Sequence, residues 1–351
     1  MRQRQKIQAV SRKRLGVLRK ASKVVLVMLL FAGVVACALV CMSGILYPDG
    51  KASAPYEPQN WMSALDGSKK LSELNIPGTH DSATRYINFA YFLQDQNTDI
   101  RAQLESGFRY FDLRVKLAKD ASDLCLCHNF GDCRTKKFLF SKKILFKDVV
   151  AIAARYLAEH NSEAVIFAVK HEHAADDMAK VKELLNSCID ENELLWYIKN
   201  DIPTLDEVRG KIVLARRYDD ERGINFQWKD QGDCEMPTAY GDEAIITSGL
   251  YLFVQDCYRY DIADKWRAVE TVLDACAASD TAFSLNFLST VTCSPLPHPK
   301  KYAAQMNARF LEKQLQKGAR YGIVIFDFAT TALAQHVIES NSMQQARRKW
   351  K

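Results

Sequence analysis

Eight short, nearly continuous apolar runs constrain the fold of this chain more than any other feature of its sequence. Runs without polar alternation suit strands of a parallel sheet that is buried on both faces. Helical patterns separate several of the runs, as at 148–160. The sequence therefore predicts an α/β fold, an irregular (β/α)8 barrel of the TIM type, with strands at 71–76, 110–115, 124–127, 164–169, 211–215, 250–255, 282–287 and 322–326.

Charged and aromatic polar residues collect at one end of these apolar runs. If these residues served only to keep the strand ends in water, both ends of each run would be charged. The starts of the runs are mostly uncharged. In a barrel of this type, functional groups sit where the strands end. We therefore predict a site built from His80, Asp81, Asp112, Arg114, His128, Lys170, Glu172, Arg217, Asp256, Tyr258 and Asp327.

Two histidines, His80 and His128, lie far apart in the sequence, yet each directly follows an apolar run. A barrel would bring them together at its mouth, an arrangement that suits general acid–base catalysis. Arg114 would offer a planar positive fork to a phosphate. No nucleophilic serine or cysteine stands out beside them, and no P-loop is present. These residues indicate phosphodiester chemistry in which a hydroxyl of the substrate attacks.

Four ordered segments carry a family resemblance. Ile76-Pro-Gly-Thr-His-Asp-Ser82 ends the first run with a turn signal. Arg109-Tyr-Phe-Asp-Leu-Arg114, Cys127-His-Asn129 and Phe167-Ala-Val-Lys-His-Glu172 follow in that order. Together they resemble the X-type catalytic region of the bacterial phosphatidylinositol-specific phospholipases C, over about 61–339. The resemblance implies a lyase that converts phosphatidylinositol to diacylglycerol and inositol 1,2-cyclic phosphate.

The resemblance also implies a role for each catalytic position. His80 matches the general base that takes the proton of the inositol 2-hydroxyl, and Asp327 matches the carboxylate that orients it. His128 matches the general acid, and Asp81 matches the carboxylate paired with it. Arg114 matches the phosphate-binding arginine. Asp112 matches a supporting acidic residue, and the inositol-binding set is matched by Lys170, Arg217, Asp256 and Tyr258.

Metal dependence can be judged from one position. Calcium-dependent relatives carry a carboxylate where this chain has Arg114, so the resemblance implies the metal-independent branch, with no cofactor and no metal ligand. Glu172 corresponds to a metal-ligand position in those relatives and is interpreted here as a polar pocket residue. His171 and His173 flank it and leave a metal site open as an alternative, because a His-x-His pair on a strand points both rings to one face.

The positive charge of the chain is confined to its N-terminus. The first 48 residues contain nine Lys/Arg and no Asp/Glu, whereas the rest holds 39 basic and 42 acidic residues. This balance argues against a nucleic-acid-binding surface. Residues 24–47 are uncharged and long enough to span a bilayer. We predict a basic cytoplasmic segment at 1–23, a transmembrane helix at 24–47, a linker at 48–60 and a catalytic barrel at 61–345.

Two alternatives remain for the N-terminal segment, a cleaved signal peptide and a lipoprotein signal at Cys37. All three interpretations export the catalytic domain, where disulfides can form. Loop packing or a disulfide is favoured over a metal site for Cys125, Cys127 and Cys133, since no second Cys/His pair has the required spacing. Outside the apolar segment the chain has Cys125, Cys127, Cys133, Cys188, Cys234, Cys257, Cys276 and Cys293.

The predicted partner is phosphatidylinositol in a membrane, and the protein is expected to act as a membrane-anchored monomer with an extracytoplasmic catalytic domain. If the N-terminal segment is cleaved or lipidated, the domain is secreted or held as a lipoprotein. Two other functions remain open. One is cleavage of glycosylphosphatidylinositol anchors, because the sequence does not show what is attached to the far side of the inositol ring. The other is a non-catalytic inositol-lipid-binding domain, which would be expected to lack one of the catalytic groups.

Overall fold

The computed structural model describes residues 58–137, 141–232, 251–292 and 298–343, together with five helical positions, Lys23, Val25, Val27, Met28 and Phe31. Two units are distinguished, Met1–Leu46 and Tyr47–Lys351. Apart from those five positions, the predicted segments 1–23 and 24–47 lie outside the described residues, as does the predicted linker up to residue 57. Among the described residues, no helix combines the length and the apolar character that crossing a membrane requires.

The second unit is built on one sheet with helices around it. Its strands are β1 (Ile76–Thr79), β2 (Tyr110–Leu117), β3 (Leu124–His128), β4 (Gly131–Asp132), β5 (Val165–His171), β6 (Trp196–Tyr197), β7 (Ile212–Arg216), β8 (Ile224–Asn225), β9 (Tyr251–Gln255), β10 (Ala282–Phe287) and β11 (Ile323–Phe326). Its helices are α1 (Ala90–Leu93), α2 (Ile100–Glu105), α3 (Phe146–Glu159), α4 (Met178–Asp190), α5 (Leu205–Val208), α6 (Ile262–Ala275), α7 (Pro299–Glu312) and α8 (Thr331–Glu339). Short 3-10 helices lie at Pro58–Ala64, Leu71–Glu73 and Glu193–Leu195.

The predicted α/β class is confirmed, and the sheet is parallel along its main path. That path runs β6-β7-β5-β2-β1-β11-β10-β9. Its strands are almost entirely buried, as near-continuous apolar runs require. In the part of the chain that the structure describes, β6 and β9 are not paired with each other. The described sheet is therefore a curled parallel half-barrel, which agrees with the predicted TIM-like architecture but not with a complete ring of eight strands.

The first predicted strand, 71–76, is misplaced. Residues Leu71–Glu73 form a 3-10 helix and β1 begins at Ile76, so Pro77 and Gly78 lie inside the strand and do not form the predicted turn. A Cβ atom at Gly78 would lie 2.8 Å from Cδ1 of Tyr110 on β2, so glycine permits close packing of the two strands. Pro77 follows the first residue of the strand, near the end where a strand tolerates proline.

The third predicted strand exists but has another place in the topology. Strand β3 pairs antiparallel with β2 and then with β4, so it forms a hairpin beside the parallel path. The eighth strand of the main path is β6, which consists of Trp196 and Tyr197 alone. Two residues are too few to produce a detectable apolar run, which explains why the sequence did not reveal this strand.

A fully buried ion pair anchors the start of β2. Arg109 Nη2 lies 2.8 Å from Glu163 Oε2, and both side chains are inaccessible to solvent. The guanidinium also donates to the carbonyl oxygens of Leu104 and Gln59 and to the hydroxyl of Tyr156. Arg109 belongs to a conspicuous sequence motif, yet its contacts show that it holds the fold together at the end of the sheet where β2 begins.

Glu163→Gln should lower the free energy of unfolding by about 3–5 kcal/mol, because it leaves the buried Arg109 charge without its counterion. Urea titration followed by circular dichroism measures this change. Glu159→Gln is the matched control, since Glu159 forms an exposed pair with Arg101 and its loss should change stability little. Equal effects of the two substitutions would contradict the structural role assigned to the buried pair.

Candidate active site

The predicted site residues lie on or directly after the strands of the parallel path and after β3. Strand β1 ends opposite Phe111 of β2, so Asp112 and Arg114 continue past it to the level of His80. Arg114 is in register with Lys170 of β5. His128 ends β3, while Glu172, Arg217, Asp256, Tyr258 and Asp327 follow β5, β7, β9 and β11.

The backbone adopts a left-handed conformation immediately after three of the functional side chains. Such values are uncommon for residues other than glycine and are tolerated best by Asp and Asn. At Phe328 the conformation is an outlier for a bulky residue, and the surrounding contacts must stabilise it. Asp81 (φ 41°) follows His80, Asn129 (φ 52°) follows His128, and Phe328 (φ 46°) follows Asp327. The reversal after β1 places consecutive side chains, His80 and Asp81, in contact.

His80 lies between an orienting carboxylate and a cluster of charges. Its Nδ1 atom is 2.8 Å from Asp327 Oδ1. Its Nε2 atom is 2.9 Å from Arg114 Nη2 and 3.2 Å from Asp81 Oδ2. Burial lowers the pKa of His80, but Asp81 and Asp327 raise it more, so the pKa rises to about 9. Because a guanidinium only donates, the Arg114 contact fits a ring with its lone pair on Nε2.

His128 has a separate carboxylate partner that the sequence did not reveal. Its Nδ1 atom is 2.9 Å from Asp95 Oδ2 and 3.0 Å from the carbonyl oxygen of Leu93. Its Nε2 atom is 3.5 Å from Asp81 Oδ2, and its ring centroid is 6.3 Å from that of His80. Burial lowers the pKa of His128, but Asp81 and Asp95 raise it more, to about 10. Asp81 therefore faces both histidines, not His128 alone.

Arg114 is held by three carboxylates at the centre of the site. Its Nε atom is 3.0 Å from Asp81 Oδ1, its Nη1 atom is 3.2 Å from Glu172 Oε1, and its Nη2 atom is 3.2 Å from Asp112 Oδ2. Burial would raise the pKa of Asp112, but Arg114 and Arg217 overcome this effect and hold it well below its usual value. The guanidinium is thereby fixed in direction before any substrate binds.

The predicted inositol-binding residues are only partly brought together. Arg217 Nη1 is 3.4 Å from Asp112 Oδ1, and its guanidinium carbon lies 3.5 Å from the centroid of the Trp228 ring. Trp228 Nε1 donates to Asp256 Oδ2 at 3.2 Å, so this tryptophan links two predicted residues. Burial, then Arg114 and Arg217, lower the pKa of Lys170.

Tyr258 contributes to a different set of contacts. Its hydroxyl donates to Asp230 Oδ1 at 2.8 Å. Its backbone carbonyl accepts hydrogen bonds from Val291 N and Thr290 Oγ1. The described contacts of Tyr258 thus tie the turn after β9 to neighbouring loops, and they do not reach the histidines.

Sequence reasoning missed Asp95 and Gln96, which belong to a buried polar segment. Gln94, Asp95 and Gln96 are 4%, 2% and 0% exposed. The Gln96 amide donates to the carbonyl oxygens of His80 and Phe326, each at 2.8 Å, and so joins the ends of β1 and β11. Three consecutive polar residues before a helix normally indicate a surface loop. No sequence signal identified them as internal.

Three donors approach each other closely enough to hold a metal ion, but ion pairs account for their arrangement. Donor atoms of His80, Asp81 and Asp95 lie within 4.8 Å of one another. Asp81 already faces the Arg114 guanidinium at 3.0 Å, and Asp95 faces His128 at 2.9 Å. We therefore assign none of them as a metal ligand.

The alternative metal set at the end of β5 does not converge. His171 Nε2 and His173 Nδ1 contact the two carboxylate oxygens of Asp176, at 3.1 and 3.0 Å. Glu172 instead contacts Arg114, because alternate side chains of a strand point to opposite faces. His171 and His173 thus share Asp176 as their partner, whereas Glu172 pairs with Arg114, so the three residues that the sequence left open as ligands do not surround one point.

The cysteines of the described residues are of two kinds. Cys125, Cys127 and Cys133 are buried free thiols, and Cys188 and Cys276 are also free. For these first three cysteines the sequence favoured either loop packing or a disulfide over a metal site. Their burial as free thiols agrees with packing. Cys257 is disulfide-bonded, and its partner lies outside the described residues.

Comparison with known proteins shows a consistent similarity. Residues 74–218 match the family model of the phosphatidylinositol-specific phospholipase C X domain. A 1-phosphatidylinositol phosphodiesterase of Staphylococcus aureus is 30% identical over 324 residues, covering 83% of this chain and 90% of that protein. Its counterpart in Listeria monocytogenes is 25% identical over 301 residues, covering 81% and 85%. A solved variant of the Staphylococcus aureus phosphatidylinositol-specific phospholipase C superimposes with a TM-score of 0.67 at 26% identity, covering 82% of this chain and 98% of that one.

Proposed function

Since the chain belongs to the phosphatidylinositol-specific phospholipase C X-domain family, we propose that it cleaves phosphatidylinositol to diacylglycerol and inositol 1,2-cyclic phosphate. The observation that carries the proposal is the pair of histidines, His80 and His128, which face each other at 6.3 Å beside the fixed cation Arg114. An inositol lipid offers the 2-hydroxyl as an internal nucleophile, so no nucleophilic side chain is required.

His80 is the general base in this proposal. Asp327 accepts from Nδ1, so the Nε2 lone pair faces the substrate side of the ring. Nε2 takes the proton of the inositol 2-hydroxyl as its oxygen attacks phosphorus. The pKa of about 9 makes the neutral ring a strong proton acceptor.

His128 is the general acid. As the bond between phosphorus and the glycerol oxygen breaks, Nε2 of the protonated ring gives its proton to that oxygen and diacylglycerol leaves. Asp81 and Asp95 raise the pKa of His128 to about 10, which favours the protonated ring that a general acid needs.

Arg114 stabilises the charge that develops on the phosphate oxygens. Its guanidinium is held by Asp81, Asp112 and Glu172, so it does not have to be oriented during the reaction. A fixed cation at this position can take the electrostatic role that a metal ion has in calcium-dependent relatives. We therefore propose a reaction without a metal.

Lys170, Arg217 and Asp256 provide the inositol pocket in this proposal, with Glu172 at its border. Arg217 stacks on Trp228 while Asp256 accepts from the same indole, so the pocket combines one donor and one acceptor on a rigid aromatic plate. Hydroxyl groups of a sugar ring need both kinds of partner. Tyr258 is proposed to stack on the far side of the ring.

Two exposed aromatic side chains suit a membrane surface close to the catalytic acid. Phe89 is 47% exposed and Phe130, two residues after His128, is 61% exposed. Their ring centroids lie 5.4 Å apart in an edge-to-face contact. Such a pair would insert favourably among lipid headgroups and acyl chains, next to a site that must receive its substrate from a bilayer.

His80→Ala and His128→Ala should each lower turnover of phosphatidylinositol about 10²–10⁴-fold, because each removes one proton-transfer step. Phosphorus NMR of the products, recorded with a chelator present, should show inositol 1,2-cyclic phosphate for the wild-type protein. His160→Ala is the matched control, because His160 lies at the end of α3 and contacts Asn60. A folded His80 or His128 variant with the wild-type rate would contradict the role assigned to that histidine.

Activity should survive EDTA, whereas Arg114→Met should lose it about 10²–10³-fold, as when an oxyanion-stabilising donor is removed. Added calcium should not restore the variant. Arg155→Met, at an exposed position on α3, controls for loss of an arginine elsewhere. If EDTA abolishes wild-type activity and calcium restores it, the metal-independent mechanism is wrong.

We also propose that residues 24–47 anchor the protein in a membrane, with the catalytic domain outside the cytoplasm. The support comes from the sequence, where nine Lys/Arg precede 24 uncharged residues. Val25, Val27, Met28 and Phe31 are helical and more than half exposed, an unfavourable state for apolar side chains in water.

Deletion of residues 1–48 should release the catalytic domain from the membrane fraction. The released protein should keep its turnover on micellar phosphatidylinositol and act more slowly on vesicles than the full chain, because anchoring raises the local concentration of lipid. Added protease should cleave the domain at the surface of intact cells. Cleavage only after lysis would show that the proposed orientation is reversed.

A further inference from the structure

We propose that Asp95 is the positioning residue of the general acid, so that this chain uses two separate histidine–carboxylate pairs, His80–Asp327 and His128–Asp95, which face a shared carboxylate, Asp81. The inference rests on the proposed function and adds a residue that neither the sequence motifs nor the family resemblance indicated. Asp95 acts through His128 and does not itself touch the reacting atoms.

The two pairs have matching distances, although the contact of His80 with Asp327 is a hydrogen bond and that of His128 with Asp95 is an ion pair, since the Nδ1–H of His128 is directed to Leu93 O. Asp327 Oδ1 lies 2.8 Å from Nδ1 of His80, and Asp95 Oδ2 lies 2.9 Å from Nδ1 of His128. Both contacts involve Nδ1, so in both rings Nε2 is the atom left to exchange a proton with the substrate. Both Nε2 atoms approach Asp81 Oδ2, at 3.2 Å for His80 and 3.5 Å for His128.

The segment that carries Asp95 is fixed on every side. The backbone N–H of Asp95 donates to Thr84 Oγ1 at 3.1 Å, and its carbonyl accepts from Phe328 N at 2.5 Å. Phe328 directly follows Asp327, so the backbones that carry the two orienting carboxylates are hydrogen-bonded to each other. A rigid carboxylate restricts the rotation of the imidazole and supplies the preorganisation that a general acid needs.

The Asp95 side chain is 3% exposed, and burying a carboxylate requires compensation. His128 is the cation that supplies it. Burial raises the pKa of Asp95, and the charge of His128 opposes this rise without cancelling it. The Nδ1–H of His128 donates to Leu93 O, and this hydrogen bond would keep the proton on Nδ1 if Asp95 were replaced. The particular contribution of Asp95 is therefore its negative charge, which keeps the ring protonated and directed.

His128 is surrounded by groups of both signs. Asp81 and Asp95 face its two nitrogens, while Arg114, Glu172 and His80 lie within electrostatic reach. Arg114 opposes protonation of His128, and the carboxylates favour it. Removing the charge of Asp95 alone should therefore lower the pKa of His128 and leave the other influences in place.

The test uses the full-length protein with Asp95→Asn, a substitution that keeps the shape and removes the charge. Asp327→Asn makes the same change beside His80. Asp280→Asn is the matched control, an exposed position that precedes β10 at the end of the sheet opposite the site. For each protein, kcat/KM is measured across pH on phosphatidylinositol and on an inositol phosphodiester with a nitrophenoxide leaving group.

Asp95→Asn should lower kcat/KM on phosphatidylinositol about 10- to 100-fold, part of the 10²–10⁴ that acid–base steps contribute. The basic limb of its pH profile should move about one to three pH units lower. On the nitrophenoxide substrate the loss should be about threefold or less, because that group leaves without a proton. Asp327→Asn should move the acidic limb and slow both substrates alike.

Equal losses on the two substrates, or an unmoved basic limb, would overturn the proposal and leave Asp95 as a structural residue. If Asp95→Asn does not fold, Asp95→Ala takes its place. In either variant, NMR titration of the His128 ring reports its pKa without turnover, and an unchanged pKa would overturn the inference. A wild-type protein that forms no cyclic phosphate would contradict the proposed function, whereas the His128 titration would still decide the pairing.

Discussion

The contact between Arg114 and the carboxylates around it is the interaction on which the rest of the site depends. Asp81 and Asp112 are inaccessible to solvent, and the Glu172 side chain is 15% exposed. Several buried negative charges in one place would repel each other strongly without an internal cation. The guanidinium satisfies three carboxylates at once and leaves its edge beside His80. The charge that the fold needs for its own stability is therefore the same charge that the proposed reaction uses.

The two histidines are supported by a single connected framework. The Gln96 side-chain amide donates to the backbone carbonyl oxygens of His80 and Phe326, and its Oε1 atom accepts from Ala329 N at 3.1 Å. Gln96 therefore holds the ends of β1 and β11 together. Asp95, the residue before it, contacts the His128 ring at the end of β3. Loops that connect different strands in this way fix functional groups more firmly than one loop could.

Tight backbone geometry at the strand ends complements this framework. Left-handed residues follow His80, His128 and Asp327 in the chain. Each reversal lets a strand deliver a side chain to the site and then turn away from the space that the substrate needs. These conformations are unfavourable in isolation and persist because buried hydrogen bonds such as Phe328 N to Asp95 O hold them. Three of the seven non-glycine residues with positive φ in the described part of the chain thus directly follow side chains of the proposed catalytic site.

The sequence alone determined the α/β class, seven of the eight predicted strands and the group of polar residues at their ends. It could do so because buried parallel strands require apolar runs and because functional side chains must then fall outside those runs. It did not determine the two-residue strand β6, the strand position of Pro77 and Gly78, or the partner of His128. The local sequence around Asp95 and Gln96 is typical of a surface loop. Both residues are buried only because that loop packs against the ends of β1, β3 and β11. Which carboxylate meets which histidine depends on contacts between residues distant in sequence, and local pattern contains no information about such contacts.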